Sequence, residues 1–148
     1  MTEPAIPAEK INRIRILQAE IEQLQMNLNA IEQQSALISR ALSSLNDAIV
    51  TQNELKNKVP GDEILIPIGG SNHILCTVKD PQKTYISLGS GITLETDLKS
   101  SEERNKTQIE SLENSLKQLQ TQYSTFDQHI DERRQELFEI AQKYQILE

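Results

Sequence analysis

Apolar residues recur in alternating steps of three and four along the first third of the chain. Ten of the twelve positions in this series are apolar. Such a heptad repeat is typical of a helix that pairs with another helix in a coiled coil. The series runs through Ile14, Leu17, Ile21, Leu24, Leu28, Ile31, Ser35, Ile38, Leu42, Leu45, Ile49 and Gln52.

A second series of the same kind occupies the last third, where eleven of the twelve positions are apolar. All ten glycines and prolines lie outside both series, in residues 4–7 and 60–91, so neither stretch contains a strong helix breaker. The sequence therefore predicts two long helices. The second series runs through Ile109, Leu112, Leu116, Leu119, Tyr123, Phe126, Ile130, Arg133, Leu137, Ile140, Tyr144 and Leu147.

The two apolar seams have matched lengths, and the segment between them returns the chain to the side of the first helix. We therefore predict an antiparallel two-helix coiled coil. The expected neighbours are Ile14 with Ile140, Leu28 with Phe126, and Leu45 with Ile109.

Two seam positions, Ser35 and Arg133, are polar. A polar seam residue costs stability and can fix the register between the helices. The alternative for Arg133, which we favour, is that its guanidinium reaches along the coil surface to water.

The expected helix starts carry their own signals. Pro7 is suited to a first helical turn. Ser100 and Glu103 form a capping-box pattern for the second helix, although Asp97 could cap an earlier start.

Between the helices the pattern changes to four short β-branched and apolar runs, which predict four strands. Gly- and Pro-containing turns separate them and predict two hairpins. Because such small hairpins have free edges, we expect them to pair with β segments of other subunits. The residues assigned to this oligomerisation surface are Ile64, Ile66, Ile68, Ile74, Cys76, Val78, Ile86, Leu88, Ile92 and Leu94.

The composition disfavours several classes of function. With 3% aromatic and 25% charged residues, the chain lacks the bulky side chains of a compact enzyme core. A net charge of −7 without a basic stripe disfavours nucleic acid. A single cysteine, no signal peptide and no apolar run of 18 residues predict a soluble cytoplasmic protein that does not bind membranes.

Catalytic and cofactor motifs are not found in the sequence. His73 and His129 lie far apart and show no metal-ligand spacing, and Cys76 alternates with apolar residues as a strand side chain. Gly89-Ser90-Gly91 lacks the third glycine of a dinucleotide loop. We predict a protein that is not an enzyme and has no cofactor or metal.

Function should lie where burial of the seam ends, near the two chain termini. More apolar residues occur there than one seam covers, because Ile16 and Phe138 fall beside the seam positions. Exposed apolar side chains at a coil end can bind unfolded polypeptides, although the same residues could simply close the coil. The candidate client-binding residues are Ile6, Ile11, Ile14, Ile16, Leu137, Phe138, Ile140, Ile146 and Leu147.

The middle segment resembles the linker of the alpha class of the prefoldin family, of the type found in archaea. The resemblance is carried by Glu63-Ile-Leu-Ile-Pro-Ile-Gly-Gly70, Val78-Lys-Asp80, Tyr85-Ile-Ser-Leu-Gly-Ser-Gly91 and Thr93-Leu-Glu95, between helices of the expected length. The chain departs from the family pattern at Ile92-Thr93 and Cys76-Thr77, where an aromatic residue and a glycine are frequent.

The resemblance implies a fold, an assembly and an activity. The fold is α+β, with N-terminal helix 1–58, two β-hairpins in 59–96 that join a multi-subunit β-barrel platform, and C-terminal helix 97–148. Two alpha and four beta subunits would form a hexamer that captures unfolded polypeptides without ATP and passes them to a group II chaperonin. The competing hypothesis is a scaffold coiled coil that docks a folded partner.

Overall fold

The computed structural model describes residues 6–144, which form two long helices with two β-hairpins between them. This order confirms the predicted fold class. In chain order the elements are α1 (Ala8–Leu55), β1 (Glu63–Gly69), β2 (Asn72–Thr77), β3 (Lys83–Gly89), β4 (Ile92–Asp97) and α2 (Leu98–Lys143).

Each helix begins beside a residue that favours a helix start. The backbone N–H of Lys10 donates to the carbonyl oxygen of Pro7 at 2.8 Å, which closes the first turn of α1. At α2, Asp97 is the cap: the Ser100 N–H donates to Asp97 Oδ1 at 2.8 Å and the Ser100 hydroxyl to Oδ2 at 2.7 Å. These hydrogen bonds lower the pKa of the Asp97 carboxyl. Of the two predicted starts for α2, the earlier is the observed one.

The chain forms two compact units, and α1 and α2 each contribute to both. The helical unit combines residues up to Ser39 with residues from Asn114 onward, and the hairpin unit comprises Arg40–Glu113.

In the helical unit, side chains along the predicted seams form the core. Leu17 is fully buried and Ile130 is 2% exposed. Every predicted seam residue of this unit within the described range is buried or half-buried. Facing residues run in opposite directions along the two helices, since Arg13 pairs with Glu136, Glu20 with Arg133 and Glu32 with Tyr123. The antiparallel coiled coil is therefore confirmed in this unit.

We expect Leu17→Ala to lower the free energy of unfolding by about 2–5 kcal/mol, because it removes a fully buried seam side chain and leaves a cavity. Urea unfolding followed by circular dichroism measures the loss. Leu37→Ala is the matched control, since Leu37 is 63% exposed on the same helix, and its effect should stay within about 0.5 kcal/mol. Equal losses in the two variants would contradict the assignment of the core.

In the hairpin unit, β1–β2 and β3–β4 are two separate antiparallel sheets of two strands each. Each strand register is interrupted once, between Pro67 and Gly69 and between Ser87 and Gly89. The turns need backbone in the left-handed region, with φ of 98° at Gly69 and 88° at Gly89, which glycine adopts without strain. The predicted Gly-containing hairpin turns are thereby confirmed.

The buried apolar residues of the hairpin unit lie at the ends of the hairpins opposite their turns. Leu98 is 1% exposed and Val78 is 8% exposed. Val78 exchanges backbone hydrogen bonds with Gly61 and Asp62, both at 2.8 Å. Val78, predicted for the oligomerisation surface, is buried within its own chain.

Within residues 6–144, neither helix has a stretch that is long and apolar enough to cross a membrane.

Candidate functional site

Three large apolar side chains lie exposed at the end of the helical unit where α1 begins and α2 ends. Ile11 is 40% exposed, Ile16 is 41% exposed and Phe138 is 50% exposed. We call this set the tip surface. Because α1 and α2 are antiparallel in this unit, residues from both ends of the described chain meet there, as the Arg13–Glu136 pair confirms.

The remaining predicted tip residues that the structure describes are less exposed. Ile6, Ile14 and Leu137 are half-buried, and Ile140 is 8% exposed. Ile140 therefore belongs to the seam rather than to the surface. The last two predicted residues, Ile146 and Leu147, lie outside the described residues.

Ion pairs between the helices flank the tip surface. The Arg13 guanidinium donates from Nε and Nη2 to the two carboxylate oxygens of Glu136, each at 2.7 Å. Farther from the helix ends, Arg133 Nε donates to Glu20 Oε2 at 2.6 Å. Bidentate guanidinium–carboxylate geometry holds two planar groups in one orientation.

These ion pairs refine the interpretation of Arg133 and add a pair that the sequence analysis missed. The Arg133 side chain is 33% exposed and reaches a carboxylate on the facing helix rather than water alone. The positions of these residues in the heptad could have indicated the pairs. Arg13, Glu20 and Glu136 each immediately precede a seam residue, and charged side chains at such positions can reach across a coiled coil.

We expect acid to destabilise the end of the helical unit that carries the tip surface. The Arg13 guanidinium hydrogen-bonds Glu136 and lowers the pKa of that carboxyl below its ordinary value. A group whose pKa is lowered by folding stabilises the fold at pH above its ordinary pKa, and this contribution disappears as the pH falls through the lowered pKa. We therefore expect the unfolding temperature to fall in acid more steeply in the natural chain than in Glu136→Gln.

Thermal unfolding at several pH values, followed by circular dichroism, tests this expectation. Because both side chains are 38% exposed, the effect should be smaller than that of Leu17→Ala. Glu110→Gln, at an exposed α2 position in the hairpin unit, is the control and should keep the natural pH profile. Identical profiles for Glu136→Gln and the natural chain would contradict the role of the pair.

A groove of about 540 Å³ adjoins Ile16 in the helical unit. The sequence alone does not predict this groove, because a groove depends on the gap between side chains of two helices. Its walls combine apolar side chains with the Glu20–Arg133 pair. The lining residues are Ile16, Ala19, Glu20, Gln23, Leu24, His129 and Arg133.

A second set of exposed apolar residues lies on the hairpins. Cross-strand pairing places Ile66 opposite Ile74, and Ile86 opposite Leu94. Ile66, Ile74 and Leu94 are 40%, 45% and 50% exposed. We call the residues that share this face with the two pairs the platform surface: Ile64, Ile66, Ile74 and Cys76 on the first hairpin, and Ile86 and Leu94 on the second.

Isolated two-stranded sheets that expose apolar side chains and free edges are poorly stable in water. Covering the platform surface with another apolar surface would remove this cost. Of the remaining predicted oligomerisation residues, Ile68, Leu88 and Ile92 are each more than half exposed, near the turns.

A buried polar cluster joins α1 to α2 in the hairpin unit. Gln52 Nε2 donates to Ser101 Oγ at 2.8 Å, and Asn105 Nδ2 donates to Gln52 Oε1 at 3.3 Å. Glu102, 6% exposed, pairs with Lys56 and Lys106. A seam glutamine that finds both partners on the facing helix selects one register, since sliding the helices would leave buried polar atoms without hydrogen bonds.

The described residues were also compared with the arrangements that metal binding and catalysis need. No group of three or more His, Cys, Asp or Glu side chains among residues 6–144 could hold a metal ion. Cys76 is a free, half-buried thiol. His129 lies on the surface with Nδ1 at 3.2 Å from Glu132 Oε2.

Comparison with known proteins relates residues 14–143 to a family model described as prefoldin subunit. The prefoldin subunit alpha of Methanosarcina mazei is 29% identical over 115 residues, which cover 76% of this chain and 81% of the relative. That of Methanosarcina acetivorans is 30% identical with the same coverage. A filamentous prefoldin chain from Methanocaldococcus jannaschii, solved by cryo-electron microscopy, matches with a TM-score of 0.40 and 20% identity, covering 87% of this chain and 95% of the other.

Proposed function

The chain belongs to the prefoldin subunit family, a family of chaperone subunits, and from that premise we propose that it captures unfolded polypeptides without ATP. The observation that carries the proposal is the tip surface, where Ile11, Ile16 and Phe138 remain exposed beside a buried seam. A fully buried contact with such a side chain contributes on the order of 1.5–3 kcal/mol. Several tips held on one assembly would bind a client by avidity.

The proposed assembly is a hexamer of two copies of this chain and four beta-class subunits. Its support is the name alpha subunit carried by the relatives and the platform surface, whose apolar side chains need a partner. In this hexamer the two hairpins of each copy would contribute to a β-barrel platform, and the helices would carry the tips.

Handover of the client to a group II chaperonin completes the proposal, and it rests on the family resemblance. A cytoplasmic location rests on the same resemblance and on the single cysteine, which suits a reducing compartment. We also propose that the chain has no enzymatic role, and the family of chaperone subunits supports this part of the proposal.

Two measurements on the chain purified with a beta-class prefoldin subunit test the function. Native mass spectrometry should give two copies of this chain and four of its partner. Light scattering of a chemically unfolded client should then stay low in the absence of nucleotide, at about one hexamer per client. Undiminished aggregation in the presence of an intact hexamer would contradict the chaperone function.

The scaffold hypothesis predicts a different outcome in the same experiments. Met26 and Leu37 lie 59% and 63% exposed on α1 of the helical unit and offer a surface for a folded partner or a second helix. In that case the chain alone would form a stable dimer through its helices, and it would not suppress client aggregation. Size-exclusion chromatography with and without the beta-class subunit separates the two hypotheses.

A further inference from the structure

The helical unit has two flanks, and the heptads distinguish them. Because the helices are antiparallel, residues that immediately precede a seam residue lie on one flank of both helices, and residues that immediately follow one lie on the other. The contacts agree with this division. Arg13 and Glu136 both precede seam residues and pair with each other. Glu32 and Gln120 both follow seam residues and line one groove of about 280 Å³.

On the flank formed by residues that follow seam residues, charged side chains recur along both helices. All of them are exposed to water. This pattern is usual for the flank of a coiled coil, where charge keeps the surface hydrated. The charged residues of this flank, which we call the charged flank, include Glu22 and Glu32 on α1 and Lys117, Asp127 and Asp131 on α2.

The other flank loses its charge beyond the Glu20–Arg133 pair. Along α1, every residue from position 23 to position 37 that immediately precedes a seam residue is uncharged. Four of these five residues are exposed, and the fifth, Asn27, is half-buried. The five residues are Gln23, Asn27, Ala30, Gln34 and Leu37.

The facing helix continues the same uncharged surface. On α2, Gln118, Gln122 and Thr125 each precede a seam residue, and all three are exposed. We call the uncharged residues of the two helices the neutral flank. One end of the neutral flank meets the tip surface, because Gln23 and Ile16 line the same groove of about 540 Å³.

Amide side chains are the main chemical groups of the neutral flank. Each amide offers both a hydrogen-bond acceptor and donors, as a polypeptide main chain does. Gln23 Nε2 donates to Asn27 Oδ1 at 3.3 Å, so these two amides lie along the same face of α1. A row of such groups can bond the main chain of another polypeptide whatever its side chains are. The amide residues are Gln23, Asn27, Gln34, Gln118 and Gln122.

We propose that the neutral flank binds uncharged, extended stretches of a client's main chain while apolar client side chains are held at the tip surface. The inference rests on the proposed function, because it needs a client captured at the tip. From Gln23 to Leu37, α1 rises about 20 Å, a length that about six residues of extended chain span. Neutral amides lose less free energy on leaving water than charged groups do, which suits a surface that must contact many sequences.

The composition of the neutral flank favours this occupant over a helix of a folded partner. A docked helix buries an apolar stripe against a matching apolar stripe. Leu37 is the large apolar side chain of the neutral flank, and its neighbours there are amides, an alanine and a threonine. A surface of this kind can satisfy an unpaired main chain but offers little apolar area to a helix.

Photo-cross-linking in the assembled complex tests the position of the client. Gln34→Cys is placed in a Cys76→Ser chain, labelled with benzophenone maleimide, assembled with the beta-class subunit and mixed with reduced, alkylated α-lactalbumin as the unfolded probe. Gln33→Cys is the matched control, since Gln33 is exposed on the same helix but neither precedes nor follows a seam residue. We expect at least about fivefold more adducts with the probe from Gln34→Cys, because a bound client is concentrated beside the neutral flank.

Added carboxylates test the chemistry of the flank. Gln23→Glu with Gln34→Glu keeps the shape of both side chains but removes their donors and adds charge. We expect the dissociation constant for the labelled probe, measured by fluorescence anisotropy, to rise at least about threefold. Gln25→Glu with Gln33→Glu adds the same charge to α1 outside the neutral flank and should leave the constant near its natural value. Equal constants for the two double variants would overturn the inference.

Measuring capture by the natural assembly keeps the outcomes distinct. If the natural assembly binds the probe but Gln34→Cys gives no more adducts than Gln33→Cys, the inference is wrong and the proposed function stands. Cross-links from Gln34→Cys to the beta-class subunit instead of the probe would also overturn it, since a neighbouring subunit would then cover the flank. A natural assembly that does not bind the probe would refute the proposed function and this inference together.

Discussion

Replacing Ile11, Ile16 and Phe138 by serine is expected to abolish suppression of client aggregation while the assembly stays intact. All three side chains are at least 40% exposed, so their loss removes binding surface without opening the core. Each contact contributes on the order of 1.5–3 kcal/mol when buried, and the effect multiplies across the tips of one assembly. We expect at least a tenfold rise in the chaperone concentration needed for half-maximal suppression, measured by light scattering.

The control changes three apolar residues of α1 outside the tip surface that are more exposed than the tip residues. Met26→Ser, Leu37→Ser and Val50→Ser remove side chains that are 59%, 63% and 62% exposed. If this control lost as much activity as the tip variant, client binding would follow exposed apolar area in general. Full activity of the tip variant with an unchanged native mass would refute capture at the tip surface.

Introducing aspartate at Ile66 and Ile86 is expected to break the assembly into monomers and dimers. These residues occupy equivalent positions on the platform surfaces of the two hairpins. Burying a carboxylate in an apolar interface without a partner costs several kcal/mol, far more than the contact of one isoleucine contributes. Size-exclusion chromatography and native mass spectrometry with the beta-class subunit measure the result.

Ser87→Asp with Thr93→Asp provides a control with the same added charge. Ser87 lies opposite Thr93 on the other face of the second hairpin, and both residues are exposed. The control should assemble normally, because its carboxylates stay in water. A hexamer that persists in Ile66→Asp/Ile86→Asp would show that this face of the hairpins does not hold the assembly together.

The elements of the fold follow from local patterns. The heptad series predicted which side chains of the helical unit are buried, including Leu17 and Ile130. The Gly-rich turns predicted both hairpins, since Gly69 and Gly89 take left-handed backbone that other residues rarely adopt. Each of these features depends on residues close together in the sequence.

The candidate site was predicted less completely. Ile16 and Phe138 were expected beside the seam, and both are exposed. Ile140 was predicted both for the seam and for the tip, and it is buried as the seam pattern predicted. Val78 was predicted for the oligomerisation surface and is buried within its own chain, because strand alternation does not determine which side chain a neighbouring segment covers.

Contacts between distant residues were not predicted. Arg13 and Glu136 are separated by 123 positions, and Gln52 and Ser101 by 49. Whether such side chains meet depends on the register of one helix against the other, which a shift of one turn would change. The heptads allow several registers, and the cluster at Gln52 favours the observed one, because a shift of one turn would separate Gln52 from Ser101 and Asn105.

The sequence by itself determined the two helices, the seam between them, the two hairpins and the resemblance to a chaperone family, because periodicity and turn chemistry act over a few residues. Only the tertiary structure decided which apolar side chains stay exposed and which charges pair between the helices. Those properties depend on how segments far apart in the chain pack, and packing determines which surfaces remain for clients and for other subunits.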